Sequence, residues 1–172
     1  MSKNKYFDIL EKVYQLTNDT TPRRFDCGEL CNKKCCGNLS KDTHKSGMTL
    51  LPYEKEFLLS KGAKYEYDSG DDGDVLICNG SCERELRPFA CRIFPYCINI
   101  TDSGIKLTKD LRAAQVCPLL FDKASKRANI YFIRSMKKAA RLMTKELLFK
   151  DELLKISDFN SYLYEFYKKM EK

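Results

Sequence analysis

The sequence predicts an α+β fold that is mostly helical, with short β-hairpins around a cysteine-rich core and a helical C-terminal region. Three observations support this prediction. Apolar residues recur at helical spacing near both ends of the chain. Short β-prone runs in the middle of the chain are separated by turns rich in Gly and Asp. All nine cysteines lie between Cys27 and Cys117, so the cysteine-rich part precedes the helical C-terminal part.

Length and composition predict one ordered domain. The 172 residues are 43% hydrophobic and 32% charged, which excludes a mainly disordered chain. We expect a single domain over 1–172, with a cysteine-cluster part at 1–122 and a basic helical tail at 123–172 packed on it. The tail has 13 Lys and Arg against 6 Asp and Glu, which gives +7, whereas residues 1–122 balance at 18 against 18.

The sequence also predicts where in the cell the protein is located. No apolar run approaches about 18 residues, so no membrane span and no membrane partner are expected. Charges interleave with apolar residues at the N-terminus, where a signal peptide would need an apolar core. We therefore expect a cytoplasmic protein.

The individual elements follow from periodicity and turn signals. Residues 4–16 predict an amphipathic helix, and Thr49 is expected to cap a short helix that ends near Leu59. Two hairpins are expected from the turns that interrupt β-prone runs. The predicted strands cover 63–67, 74–78, 96–100 and 105–107, and the predicted C-terminal helices cover roughly 124–149 and 158–170.

The first C-terminal helix is expected to have one packed face and one solvated face. At about 100° per residue, an apolar sector contains Phe132, Met136, Ala140, Met143 and Leu147. The opposite sector is basic and contains Arg134, Lys138, Arg141 and Lys145. A basic face of this kind is usually solvated, although it could also bind phosphates.

The cysteine clustering predicts a metal site, because stable disulfides are rare in a reducing compartment and buried apolar thiols do not cluster. Zinc and iron–sulfur clusters each need four ligands, and thiolates on one metal approach within about 4 Å. If 27–35 were one helix, Cys27 and Cys35 would lie about 12 Å apart. The segment must therefore wrap as a loop, or its cysteines divide between two sites. The adjacent Cys35 and Cys36 favour division.

The second constellation contains Cys78, Cys82 and Cys91, with Cys117 farther along. The Asn79-Gly80 turn lets the first two of these thiols converge. Arg87 and Arg92 flank Cys91 and could donate hydrogen bonds to a thiolate-rich centre. Cys97 lies in a predicted strand and is expected to be dispensable for metal.

The chain also resembles a known family, the YkgJ-type cysteine-cluster proteins, over roughly residues 26–118. The resemblance is carried by the Cys27–Cys36 cluster and by the segment RPFACRIFP after Cys82, with a looser match at Leu51-Pro52-x-Glu54. This family is described as a zinc- or iron-chelating domain. The resemblance implies a chelating role for Cys27, Cys31, Cys35, Cys36, Cys82 and Cys91. Spacing adds Cys78 and Cys117 to that set.

We therefore expect a metal-binding protein in which zinc, or alternatively an iron–sulfur cluster, stabilises the fold. One alternative is an iron–sulfur enzyme or electron carrier, although the sequence names no acid–base pair and no substrate pocket. A second alternative is a nucleic-acid-binding module that uses the basic face of the C-terminal helix. This alternative is disfavoured because no aromatic residues interleave with those basic residues.

Overall fold

The computed structural model describes residues 3–23, 32–36, 47–71, 73–78, 80, 82–121 and 128–170. Within these ranges the chain forms helices and two small antiparallel sheets, which confirms the predicted α+β class. The helices are α1 (Lys3–Thr17), α2 (Glu54–Ser60), α3 (Phe89–Ile93), α4 (Ile130–Met143) and α5 (Leu147–Met170). The strands are β1 (Gly47–Thr49), β2 (Glu66–Gly70), β3 (Gly73–Ile77), β4 (Tyr96–Thr101) and β5 (Gly104–Lys109). Short 3₁₀ turns cover Lys34–Cys36, Arg84–Leu86, Leu111–Gln115 and Pro118–Leu120.

Both predicted hairpins are present, but the first strand of the first hairpin lies at Glu66–Gly70 and not at 63–67, because its pairing with β3 continues to Gly70 opposite Gly73. β2 and β3 pair across a tight turn, and β4 pairs with β5 through a turn that ends at Gly104, whose φ of 108° suits glycine. β1 adds to the other edge of β3, so that the strand order of the larger sheet is β1-β3-β2.

The N-terminal boundary of α2 was predicted wrongly. Thr49 does not cap a helix, because it lies in β1 opposite Val75 and the next amide, that of Leu50, donates to the Asp74 carbonyl oxygen at 2.9 Å. The helix begins later, at Glu54, after Tyr53 adopts a left-handed φ of 62°. Pairing with a strand far along the chain therefore outweighs the local capping signal.

The main core lies between α1, α4, α5 and the sheets. Leu10 and Val13 of α1 and Phe132 and Met136 of α4 are fully buried, as the helical periodicity of each segment predicts. Edge contact between the rings of Tyr6 and Phe149 extends this packing to α5. Apolar residues from both the cysteine-rich part and the C-terminal part thus share one core.

One member of the predicted apolar sector lies elsewhere. Leu147 is 72% exposed, whereas Met143 is fully buried. The reason is that α4 ends at Met143 and α5 begins at Leu147, so the intervening turn at 144–146 breaks the angular relationship between these residues. The predicted helices over 124–149 and 158–170 therefore have the wrong boundary, because the break lies at 144–146 and α5 runs unbroken from Leu147 to Met170. Residues 124–127 of the first predicted helix lie outside the described residues.

No helix in the described part of the chain is long and apolar enough to cross a membrane.

Candidate metal centre

Four cysteines from three separate parts of the chain converge on one region: Cys36, Cys78, Cys82 and Cys91, here called the thiol quartet. Burial raises the pKa of the Cys91 thiol well above its ordinary value, and the neighbouring Cys78, Cys82 and Cys36 raise it further. The pKa of Cys78 is raised in the same way, first by burial and then by Cys36 and Cys82. Cys91 therefore lies within electrostatic reach of the other three thiols, and Cys78 lies within reach of Cys36 and Cys82 as well.

Local backbone structure explains how Cys36 reaches the other three. Cys36 ends a one-turn 3₁₀ helix, closed by a 2.7 Å hydrogen bond from its amide to the Lys33 carbonyl oxygen. A Cβ at Gly80 would lie 3.8 Å from the Cys36 carbonyl oxygen, and Gly80 has a φ of 90°. Gly80 thus lies alongside Cys36, in a backbone conformation that other residues rarely adopt.

Arg87 supplies positive charge to the thiol quartet. Its Nε donates to the Sγ of Cys82 at 3.4 Å. Burial lowers the pKa of the Arg87 guanidinium, but the Cys82 hydrogen bond and the charges of Cys82, Cys36 and Cys91 outweigh burial and raise the pKa overall. A guanidinium that donates to sulfur stabilises the thiolate, which is the form that binds metal.

Arg92 is placed differently from Arg87, because its described hydrogen bonds go to oxygen. Its Nε donates to the Arg87 carbonyl oxygen at 2.6 Å, and its Nη2 donates to the carbonyl oxygens of Arg84 and Glu85 at 3.0 and 2.8 Å. These carbonyl groups belong to the segment that connects Cys82 to α3. Arg92 is 4% exposed, so it fixes the path of this segment from the interior of the protein.

Glu54 is a fully buried carboxylate behind the thiol quartet. Its Oε1 accepts the Tyr14 hydroxyl at 2.7 Å and the Phe89 amide at 2.7 Å, and its Oε2 accepts the Leu51 amide at 2.8 Å. Burial raises the pKa of Glu54, while these three donors oppose that shift. Because Phe89 is the first residue of α3, the carboxylate fixes the start of the helix that carries Cys91.

Sequence reasoning did not identify Glu54 as a functional residue. The only signal was the loose Leu51-Pro52-x-Glu54 match to the YkgJ-type pattern. The three donors that satisfy the carboxylate come from α1, from the turn before α2 and from α3, and nothing local in the sequence shows that they meet.

The other described cysteines differ in how near they lie to the thiol quartet: Cys35 adjoins it, whereas Cys97 and Cys117 lie in other parts of the fold. The Sγ of Cys35 is 3.8 Å from that of Cys36, but Cys35 lines a separate cavity with Cys97. Cys97 is buried in β4, with its Sγ 3.5 Å from the Thr108 hydroxyl oxygen. Cys117 packs in a second apolar cluster that contains Ala113, Leu119 and Leu120. Cys27 and Cys31 lie outside the described residues.

The thiol quartet is a convergence of donors and not a closed coordination shell. Over the described ranges, no group of three or more His, Cys, Asp or Glu side chains is positioned to hold a metal ion. Cys78, Cys82, Cys91 and Cys97 are free thiols among the described residues, so no disulfide occupies their sulfurs. In chemical terms, four thiols beside a guanidinium are a suitable donor set for zinc or for an iron–sulfur cluster.

Comparisons with known protein families, with curated proteins and with solved structures find no match to this chain.

Proposed function

We propose that this chain is a cysteine-cluster metal protein, in which thiolates bind zinc, or alternatively an iron–sulfur cluster, and the bound centre stabilises the fold. The observation that carries the proposal is the thiol quartet, since its cysteines come from three separate parts of the chain and meet beside Arg87. The resemblance of the RPFACRIFP segment to the YkgJ-type proteins supports the same conclusion. A reducing compartment such as the cytoplasm would keep these thiols available as ligands.

The surroundings of the thiol quartet suit a centre that closes when metal binds. Cys91 lies on α3, which Glu54 and Arg92 hold in place. Cys36 and Cys82 lie on a one-turn helix and a connecting segment, and these can move toward Cys91 at lower cost than a packed helix can. Metal binding would bring the sulfurs within about 4 Å of one another. Cys91 would thus form the fixed side of the metal centre, and Cys36 and Cys82 would form its adjustable side.

The test is anaerobic purification of the full chain, followed by metal analysis and a visible absorption spectrum. Zinc in a colourless protein would identify a structural thiolate site, whereas iron with inorganic sulfide and a broad visible absorption would identify an iron–sulfur centre. The proposal fails if the protein retains neither metal and takes up neither after anaerobic reconstitution.

Two matched variants test the assignment of the ligands. Cys91→Ala removes a member of the thiol quartet, and Cys97→Ala removes a buried thiol of the adjoining hairpin. We expect Cys91→Ala to lower the ratio of metal to protein and Cys97→Ala to leave the ratio unchanged. Equal losses from both variants would assign Cys97 to the metal as well.

A further inference from the structure

A cavity of about 330 Å³ lies between the main core and the second apolar cluster. Its wall is largely apolar and includes Leu51, Phe89, Ile93, Phe94, Ile98 and Leu153. These residues come from the turn after β1, from α3, from β4 and from α5. The cavity is partly open to solvent, so it is accessible from the surface. A concave and largely apolar space of this kind is typical of small-molecule binding sites.

The volume indicates the size of a suitable occupant. Ligand pockets begin at roughly 300 Å³. An apolar cavity of roughly 150 Å³ holds one benzene molecule. The cavity described here has about twice that volume, so it suits a skeleton of two fused rings or an aliphatic group of similar bulk.

The charged side chains of the cavity wall indicate which polar group a bound ligand would carry. Asp110 and Arg112 form a two-point ion pair, with Nε to Oδ1 at 2.9 Å and Nη2 to Oδ2 at 2.6 Å, so their charges cancel. Glu152 remains as a further carboxylate among the described lining residues. Its ion-pair partner Lys155 is 75% exposed and 3.4 Å away, so this pair is weak. The described part of the wall therefore favours a hydrogen-bond donor or a cation over an anion.

We propose that the cavity binds a small apolar amine, with its ring system among the apolar side chains and its ammonium group at Glu152. The site is separate from the proposed metal function, because it needs no member of the thiol quartet. It does adjoin the thiol quartet through Cys35, whose Sγ lies 3.8 Å from that of Cys36.

The test uses three probes that share one skeleton: 1-naphthylmethylamine, 1-naphthylmethanol and 1-naphthylacetate. Calorimetric titration of the full chain should show the amine binding about tenfold or more tightly than the carboxylate, with the alcohol between them. The heat-capacity change should be negative, because apolar surface is buried. Failure of all three probes to bind, or tightest binding of the carboxylate, would overturn the proposal.

Paired variants then locate the bound probe. Glu152→Gln should weaken binding of the amine by about tenfold and leave the alcohol unchanged, since only the amine loses a charged partner. Glu165→Gln is the matched control, because Glu165 is an exposed carboxylate near the end of the same helix. Equal effects of the two substitutions, or no effect of Glu152→Gln, would overturn the assignment.

A blocking variant tests the cavity itself. Ile156→Trp places a larger side chain on the wall that α5 contributes and should weaken binding of all three probes. Tyr162→Trp adds the same side chain at a position that is 63% exposed and should leave binding unchanged. Circular dichroism checks that both variants keep their helices. Unaltered binding to a folded Ile156→Trp protein would show that the probes bind elsewhere and would overturn the proposal.

Discussion

The guanidinium of Arg92 lies over the ring of Tyr14, with its carbon 4.1 Å from the ring centroid, and its Nη1 donates to the Tyr14 carbonyl oxygen at 3.3 Å. The other nitrogens of this guanidinium hold the segment that leads from Cys82 to α3. Arg84 of that segment donates in turn to the carbonyl oxygens of Asn18 and Thr20, just after α1. The N-terminal helix thus fixes the connection between Cys82 and Cys91, although it contains no cysteine itself.

Replacing Arg92 with Lys should destabilise the protein by about 2–3 kcal/mol. Lysine keeps the charge, but it cannot form the planar set of hydrogen bonds to four backbone carbonyl groups, and those carbonyl groups would be left buried and partly unsatisfied. Urea unfolding followed by circular dichroism measures the loss. Arg134→Lys is the control, since Arg134 is exposed on α4. A loss below about 0.5 kcal/mol for Arg92→Lys would show that these bonds contribute little.

Removal of metal should abolish cooperative unfolding, if the proposed function is correct. Structural zinc can contribute on the order of 10 kcal/mol to folding, and crowded thiols lose that contribution when the ion leaves. The measurement is a thermal unfolding curve before and after treatment with a strong chelator under reducing conditions. An unchanged transition in protein that has been stripped of all metal would contradict this prediction.

The β2–β3 hairpin should be stabilised by Asp74 only at higher pH. Asp74 accepts the Ser69 hydroxyl at 2.5 Å and the Lys55 ammonium at 3.0 Å, and these two hydrogen bonds, the Ser69 bond above all, lower the pKa of its carboxyl group. Because the pKa is lowered in the folded state, the ionised carboxylate stabilises the fold at pH values above the ordinary carboxyl pKa. That stability is lost as the pH falls through the folded value.

Asp74→Asn should therefore cost about 0.5–1 kcal/mol at pH 7, and the cost should shrink steadily below about pH 4. Urea unfolding at a series of pH values measures the difference from the parent protein. Asp68→Asn on the neighbouring strand, where the side chain is exposed, is the control. A cost that stayed constant with pH would show that Asp74 acts through packing and not through its charge.

Nucleic acid should bind only weakly. The basic side chains of α4 and the following turn are exposed, as the sequence predicts: Arg134, Lys138, Arg141 and Lys145. Contacts to phosphate alone lose about 0.9 log units of affinity per log unit of salt for each phosphate neutralised. We expect binding without sequence preference that disappears by physiological salt. Submicromolar binding at that salt, abolished by reversing these four charges, would establish a nucleic-acid function instead.

The buried faces of α1 and α4 were predictable because their signals are local. The apolar stripe of Tyr6, Leu10 and Val13 defines α1 within one residue at each end, and that of Phe132 and Met136 defines the buried face of α4. The turn at 144–146 was not predictable from periodicity, because the apolar pattern continues through it to Leu147. Helical spacing identifies a face but does not by itself locate a break in the helix.

The arrangement of the candidate metal centre was only partly predictable. Sequence spacing groups Cys78, Cys82 and Cys91, but it also suggests that the Cys35 and Cys36 side chains diverge, whereas their Sγ atoms lie 3.8 Å apart. Only the three-dimensional structure brings Cys36 beside Gly80 and directs Cys35 to the cavity. Such placements depend on contacts between segments that are about 45 residues apart, and neither propensity nor periodicity encodes them.

The packing of α1 against α4 and α5 has a consequence during synthesis of the chain on the ribosome. The core cannot close until Phe132, Met136 and Leu153 have emerged, and these residues follow Cys91 by 41 to 62 positions. At roughly 5–20 residues per second, this interval lasts on the order of 2–12 s. During that time the thiols of the nascent chain have no core to shield them, so they are open to oxidation and to whichever metal ion reaches them first.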